Sequence, residues 1–103
     1  MKRLEAKEVR ASLAAVPEWT RVRKAIRRTY AFPDFLGEMK FVNAVARAAE
    51  KAQHHPDVDI RWGRVTLILT THDAGGLTEL DFQMAALSDR LALRHSVEQV
   101  YSR

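Results

Sequence analysis

The sequence predicts an α+β fold: one antiparallel four-stranded sheet with helices packed on one face, in the order α-β-β-α-β-β-α. Two stretches of alternating apolar residues, each reversing through a short turn, predict a pair of hairpins, and three stretches with three-to-four spacing predict helices before, between and after them. At 103 residues the chain has room for one hydrophobic core, so 1–103 is read as a single domain with no separate cofactor-binding unit.

Leu4 to Ala15 places Leu4, Val9 and Leu13 among alternating charges, a short helix that Val16-Pro17 stops. From Trp19 the pattern becomes β-like. Trp19-Thr20-Arg21-Val22, a basic reversal, and then Ile26, Arg28, Tyr30 and Phe32 at period two make the first hairpin. Pro33-Asp34 opens a helix in which Phe35, Leu36, Met39, Val42, Val45, Ala46 and Ala49 recur at helical spacing. That helix ends near Gln53, because Pro56 biases His55 towards extended backbone. Val58, Ile60 and Trp62, then Val65, Leu67 and Leu69, alternate on either side of Gly63-Arg64, and glycine at the first central position of a type II′ turn sets Trp62 opposite Val65. After Asp73-Ala74-Gly75-Gly76 a last helix begins at Thr78, whose hydroxyl is expected to cap the Asp81 N–H. Its apolar positions (Phe82, Ala85, Ala86, Leu93, Val97, Val100) and a flanking row from Leu80 to Leu91 exceed the needs of one core, which suggests a subunit interface.

Hydrophobic residues make up 47% of the chain and charged residues 29%, a balance suited to a soluble domain. The absence of cysteine excludes disulfides, thiolate nucleophiles and cysteine-ligated metal sites. A charged start, with no apolar leader and no long apolar run later, leads to the expectation of a cytoplasmic protein without a membrane segment. Residues 1–30 hold nine Lys/Arg against three acids, and Arg21, Arg23, Lys24, Arg27 and Arg28 gather around the first hairpin. Cations along a strand edge discourage edge-to-edge pairing, and no interleaved aromatics offer a stacking platform, so nucleic acid is not an expected partner. An electrostatic partner surface is the remaining use for the patch.

Three of the four histidines lie in two clusters, His54-His55-Pro56 and Thr71-His72-Asp73. Counting the ladder back from the Gly63-Arg64 turn pairs Asp57 with Thr70 and then His55 with His72, and directly opposed Cβ atoms lie about 4.5–5.5 Å apart. The expectation is a three-histidine site lining one small cavity. Imidazole titrates near pH ~6.5, so one ring can donate a proton while another accepts one. Elimination of water needs both, and needs no redox centre or other cofactor. Asp81 or Asp73 is placed to orient a ring.

Each residue also has a plainer explanation. His54 and His55 can simply end a helix, where imidazoles are favourable. Three histidines can hold zinc, but adjacent residues of an extended chain point apart, and H-H-P lacks helical ligand spacing, so no metal is expected. Trp19 and Trp62 fall at apolar strand positions and are expected in the core. Gly75-Gly76 reads as a turn with positive φ, and His95, on the last helix away from both clusters, is given no role.

The run Glu50-Lys51-Ala52-Gln53-His54-His55-Pro56, followed by Val65, Thr71-His72 and Gly76-Leu77-Thr78-Glu79-Leu80-Asp81, resembles the signature of the pterin-4a-carbinolamine dehydratases. Trp19, Ala25-Ile26 and Phe32-Pro33-Asp34-Phe35 are similar to the family pattern too, so the resemblance runs from about Trp19 to Leu91. It implies dehydration of 4a-hydroxytetrahydropterin, a product of pterin-dependent aromatic hydroxylases, to quinonoid dihydropterin. It places catalysis on His54, His55 and His72 with Asp81 in support. His54 and His72 would be the acid and base, and His55, Pro56 and the backbone of Thr71, His72, Asp73 and Ala74 would hold the pterin. A homodimer or homotetramer is also implied. Trp62-Gly63 departs from the tyrosine–asparagine often found in the family. A non-catalytic binding module, since some family-like bacterial proteins look like assembly factors for a carbon-fixing enzyme, is the alternative.

Overall fold

In the computed structural model, which describes residues 1–102 with side chains as far as His95, the expected order of elements is observed. The chain runs α1 (Ala6–Ala14), β1 (Thr20–Val22), β2 (Ala25–Ala31), α2 (Phe35–Ala52), β3 (Asp57–Arg61), β4 (Arg64–Leu69), a 3₁₀ turn (His72–Ala74) and α3 (Glu79–Ser102). All strand pairs are antiparallel in the order β1-β2-β4-β3, which leaves β1 and β3 at the edges. Ile26 pairs with Leu69 and Tyr30 with Val65, so the alternation of both central strands delivers one apolar face. That face is fully buried with Phe41 and Val45 of α2 and Ala85 of α3. Each large side chain removed from water there contributes roughly 1.5–3 kcal/mol. No helix among the described residues is long and apolar enough to cross a membrane.

The inward face of α2 is rotated from the one the periodicity suggested. Glu38, Phe41, Ala44, Val45 and Ala49 are buried, whereas Phe35 and Leu36 are 54% and 66% exposed. Glu38 is the cause the hydropathy pattern could not reveal. Its Oε1 accepts the Gly63 N–H at 2.7 Å and turns this carboxylate towards the sheet.

That bond also bears on the second hairpin, whose register departs from the expected one. Arg61 closes the ladder with Arg64, which places Trp62-Gly63 at the turn, with Gly63 second. Gly63 has φ 80° there, the requirement of a type II turn rather than the expected II′. With its N–H held by Glu38 and its carbonyl accepting from Phe32 N at 3.0 Å, the glycine cannot take the first turn position. The resulting two-residue slip preserves which side chains share a face but pairs Val58 with Leu67 and Asp57 with Ile68. The His55–His72 pairing is therefore not made, because the ladder stops at Asp57. Trp62 is 83% exposed at the turn, not in the core, while Trp19 is buried as expected.

The surplus apolar surface is likewise not where it was expected. On α3, Met84, Ala85 and Ala92 are buried and Phe82, Leu87 and Leu91 pack against the core, leaving Leu93 as its exposed large apolar side chain among the described residues. The exposed apolar groups gather instead at Phe35 and Leu36 of α2 and Val58, Ile60 and Trp62 of the edge hairpin. The side chains of Val97 and Val100 lie outside the described residues.

Candidate active site

His54 owes its position to how α2 ends. Gln53 adopts the left-handed conformation at φ 53°, and the N–H groups of Gln53 and His54 return to the carbonyls of Glu50 (3.3 Å) and Ala49 (3.1 Å). This is the Schellman arrangement, built here on glutamine, whose side-chain Nε2 adds a bond to Glu50 O at 2.8 Å. Pro56 then starts the run into β3. The turn directs His54 inwards, where it is 9% exposed, and leaves His55 on the surface.

The second cluster is held by a loop closed on itself. Thr71 N donates to Gly76 O at 3.1 Å and Gly76 N to Thr71 O at 3.3 Å, and Gly75 at φ 74° lets its N–H reach His72 O at 3.0 Å. Both glycine N–H groups are thereby satisfied internally, in agreement with a plain turn. Thr71 is buried while His72 and Asp73 project as exposed residues, with Ala74 half-buried beside them.

What joins the clusters is Asp81, fully buried in the first turn of α3. Its Oδ1 lies 2.5 Å from His54 Nε2, and its Oδ2 accepts from the Thr71 hydroxyl and the Thr78 N–H, both at 2.9 Å. A carboxylate only accepts, so His54 Nε2 carries a proton and Thr71 has committed its single hydroxyl hydrogen. The Thr78 hydroxyl, 2.8 Å from that of Thr71, must then donate to it. The expected helix cap is modified accordingly: the Thr78 oxygen accepts from Leu80 N at 3.3 Å rather than from Asp81 N, and the Asp81 carboxylate reaches back to the Thr78 N–H, half of a capping box.

With Nε2 bound to Asp81, the remaining ring nitrogen of His54 is Nδ1, which has no hydrogen-bond partner among the described residues and is not among the polar atoms shut off from solvent. A carboxylate behind one ring nitrogen fixes the tautomer and the orientation of the ring. Asp81 therefore fills the orienting role that the sequence offered to either aspartate.

His55 and His72 border different small hollows. His55, with Nε2 3.2 Å from Glu50 Oε2, borders a 220 Å³ hollow against Pro56, Val58 and α2, while His72 borders one of 390 Å³ with Thr70 and the β1–β2 turn. The tie runs through the residues beside them, His54 and Thr71, and lies beneath the sheet end instead of across its ladder. The part of Thr71 and Thr78 in this clamp was missed from sequence, although Thr-x-x-Asp at a helix start is a readable signal.

A family profile described as pterin 4 alpha carbinolamine dehydratase matches residues 2–91. The chain belongs to this family. A relative from Thermosynechococcus vestitus, named "Putative pterin-4-alpha-carbinolamine dehydratase", is 45% identical over 91 residues, covering 88% of this chain and 96% of its own. A solved structure described as a transcriptional coactivator/pterin dehydratase from Brucella melitensis superposes with a TM-score of 0.85 at 36% identity, over 88% of this chain and 99% of the other. A pterin dehydratase-like protein described as a RuBisCO assembly factor in the alpha-carboxysome superposes at 0.60 with 23% identity, over 72% and 86%, a likeness of fold alone.

Proposed function

We propose that the chain dehydrates a 4a-hydroxytetrahydropterin to the quinonoid dihydropterin, with His54 and His72 exchanging the protons and His55, Pro56 and the Thr71–Ala74 segment holding the ring. One imidazolium protonates the departing hydroxyl as the carbon–oxygen bond breaks. A neutral imidazole removes the proton from the neighbouring ring nitrogen, so a carbon–nitrogen double bond and water are formed. The observation that carries this reading is the buried His54–Asp81 pair, which leaves Nδ1 as the free nitrogen and ties the first histidine segment to Thr71, next to His72. Family membership and the names of the relatives support the substrate class. On this reading a pterin-dependent hydroxylase supplies the substrate.

His54→Ala and His72→Ala are each expected to lower turnover of a 4a-hydroxytetrahydropterin, followed by its ultraviolet absorbance, by roughly two to four orders of magnitude. Wild-type rates in both variants would refute the assignment. An unmodified chain that neither binds nor turns over pterin, yet recovers a stoichiometric protein partner, would establish the binding-module alternative instead.

A further inference from the structure

A second concave region adjoins the His72 turn. Residues 2–6, Arg21 and Lys24 of the first hairpin, and residues 74–77 surround about 810 Å³. Lys24, Gly75 and Gly76 also line the hollow that His72 borders, so the two spaces adjoin. The larger one is walled by Lys2, Arg3, Arg21 and Lys24 against a single acid, Glu5. Arg23 faces the smaller one. None of these five cations forms an ion pair among the described residues.

The cations come from separate segments that the fold holds together. Leu4 N–H donates to Leu77 O at 2.8 Å, which lays the N-terminal segment along the Gly75-Gly76 turn. The Arg3 stem then crosses Gly76 so closely that a Cβ there would meet Arg3 Cδ at 2.9 Å. Arg21 Nε donates to Arg23 O at 2.9 Å, and Thr70 Oγ1 donates to Lys24 O at 2.5 Å, which anchors the basic turn beside His72. Arg23 adopts φ 57° in that turn, a left-handed conformation that costs a non-glycine residue about 1 kcal/mol. Like charges gathered around one hollow without counter-ions repel one another, and the same field concentrates an anionic ligand.

We infer that this cleft is a subsite for a short chain of phosphates carried on the side chain of the pterin. The pterin half of the inference rests on the dehydratase reading. The anion half rests on the cleft alone. Four cations spread over such a volume exceed what one carboxylate can satisfy, and the guanidinium fork matches phosphate oxygens. The loop amides of Gly75 and Gly76 are already bonded, so side chains would do the holding. No aromatic residue lines the cleft, which argues against a nucleic-acid strand, whose bases need stacking partners.

Calorimetric titration of the full chain with inorganic tripolyphosphate is expected to show saturable one-to-one binding that weakens with salt. Arg3→Ala and Lys24→Ala should each weaken it about two- to fivefold, and the double variant about tenfold, with Arg3→Lys retaining most of the affinity. Steady-state turnover separates the two halves. For a triphosphorylated pterin the same variants should raise KM by those factors at unchanged kcat, while a pterin with a neutral side chain should be turned over as by the unmodified chain. Absent or non-saturable tripolyphosphate binding, variants that bind like the unmodified chain, tighter binding of a single-stranded oligonucleotide, or equal KM for the two pterins would each overturn the inference. Loss of turnover of both pterins by the unmodified chain, with tripolyphosphate binding intact and sensitive to the variants, would refute the dehydratase reading and leave the anion site standing.

Discussion

Asp81 and Asp89 stand on one helix, about two turns apart, and each gathers three hydrogen bonds, yet they have different uses. Asp81 is fully buried and faces an imidazole and a hydroxyl that belong to the two histidine segments. Asp89 is 26% exposed, and its Oδ1 accepts from Trp19 Nε1 (3.0 Å), Arg28 (2.9 Å) and the Tyr30 hydroxyl (2.5 Å). Arg28 also lies over the Tyr30 ring, 4.4 Å from its centroid. The donors to Asp89 keep their protons at neutral pH, so this carboxylate only fastens the first hairpin to α3. The imidazole at Asp81 keeps a second ring nitrogen that no described residue bonds. The same carboxylate joins a hairpin to α3 in one place and the two histidine segments in the other because of what it faces, not because of how many bonds it makes.

The sharpest test of that contrast is the same isosteric change at both positions. Asp81→Asn sets an amide N–H against His54 Nε2 and drives the ring to the other tautomer, so turnover per folded molecule should fall about a hundredfold or more. Asp89→Asn should leave kcat within about threefold. Equal losses at the two positions would erase the distinction. Stability should order the pair differently: Asp89→Ala removes the common acceptor of three part-buried donors and is expected to cost about 2–3 kcal/mol in urea unfolding, with kcat of the folded chain retained.

The smallest effect belongs to Tyr30→Phe, about 1 kcal/mol at neutral pH. Burial first, and then the hydrogen bond and charge of Asp89, push the Tyr30 hydroxyl well above its ordinary range. The folded state thus keeps a proton that the unfolded chain releases near pH ~10. The stability attached to it is complete below that pH and declines as pH rises further. Unfolding measured across that range should show a decline in the native chain and a flatter curve in the phenylalanine variant. Identical slopes would mean that the phenol titrates normally in place.

Most of the architecture was legible because it depends on periodicity and on strong punctuation. Alternation at Ile26–Tyr30 and Val65–Leu69, the Pro33-Asp34 start and the Pro56 stop each act locally, and the structure agrees with them. Register was not legible, because Gly63 suits either central turn position, and the choice falls to the hydrogen bond its N–H donates to Glu38, 25 residues earlier. The inward face of α2 was misread for the same reason, since a buried carboxylate imitates a surface residue in a hydropathy pattern. At the site, the histidine motifs and an orienting aspartate could be read from residue types and spacing. How they meet could not, because Thr71 and Asp81 make contact through tertiary folding and not along a ladder.

The placement of Asp81 also determines when the site is completed as the polypeptide is made. Both histidine segments precede it in the chain, so they leave the ribosome before the residue that clasps them, and a nascent chain stopped short of α3 carries every imidazole of the two motifs without the carboxylate that His54 and Thr71 share. The clasp between the two segments thus closes only when α3 docks.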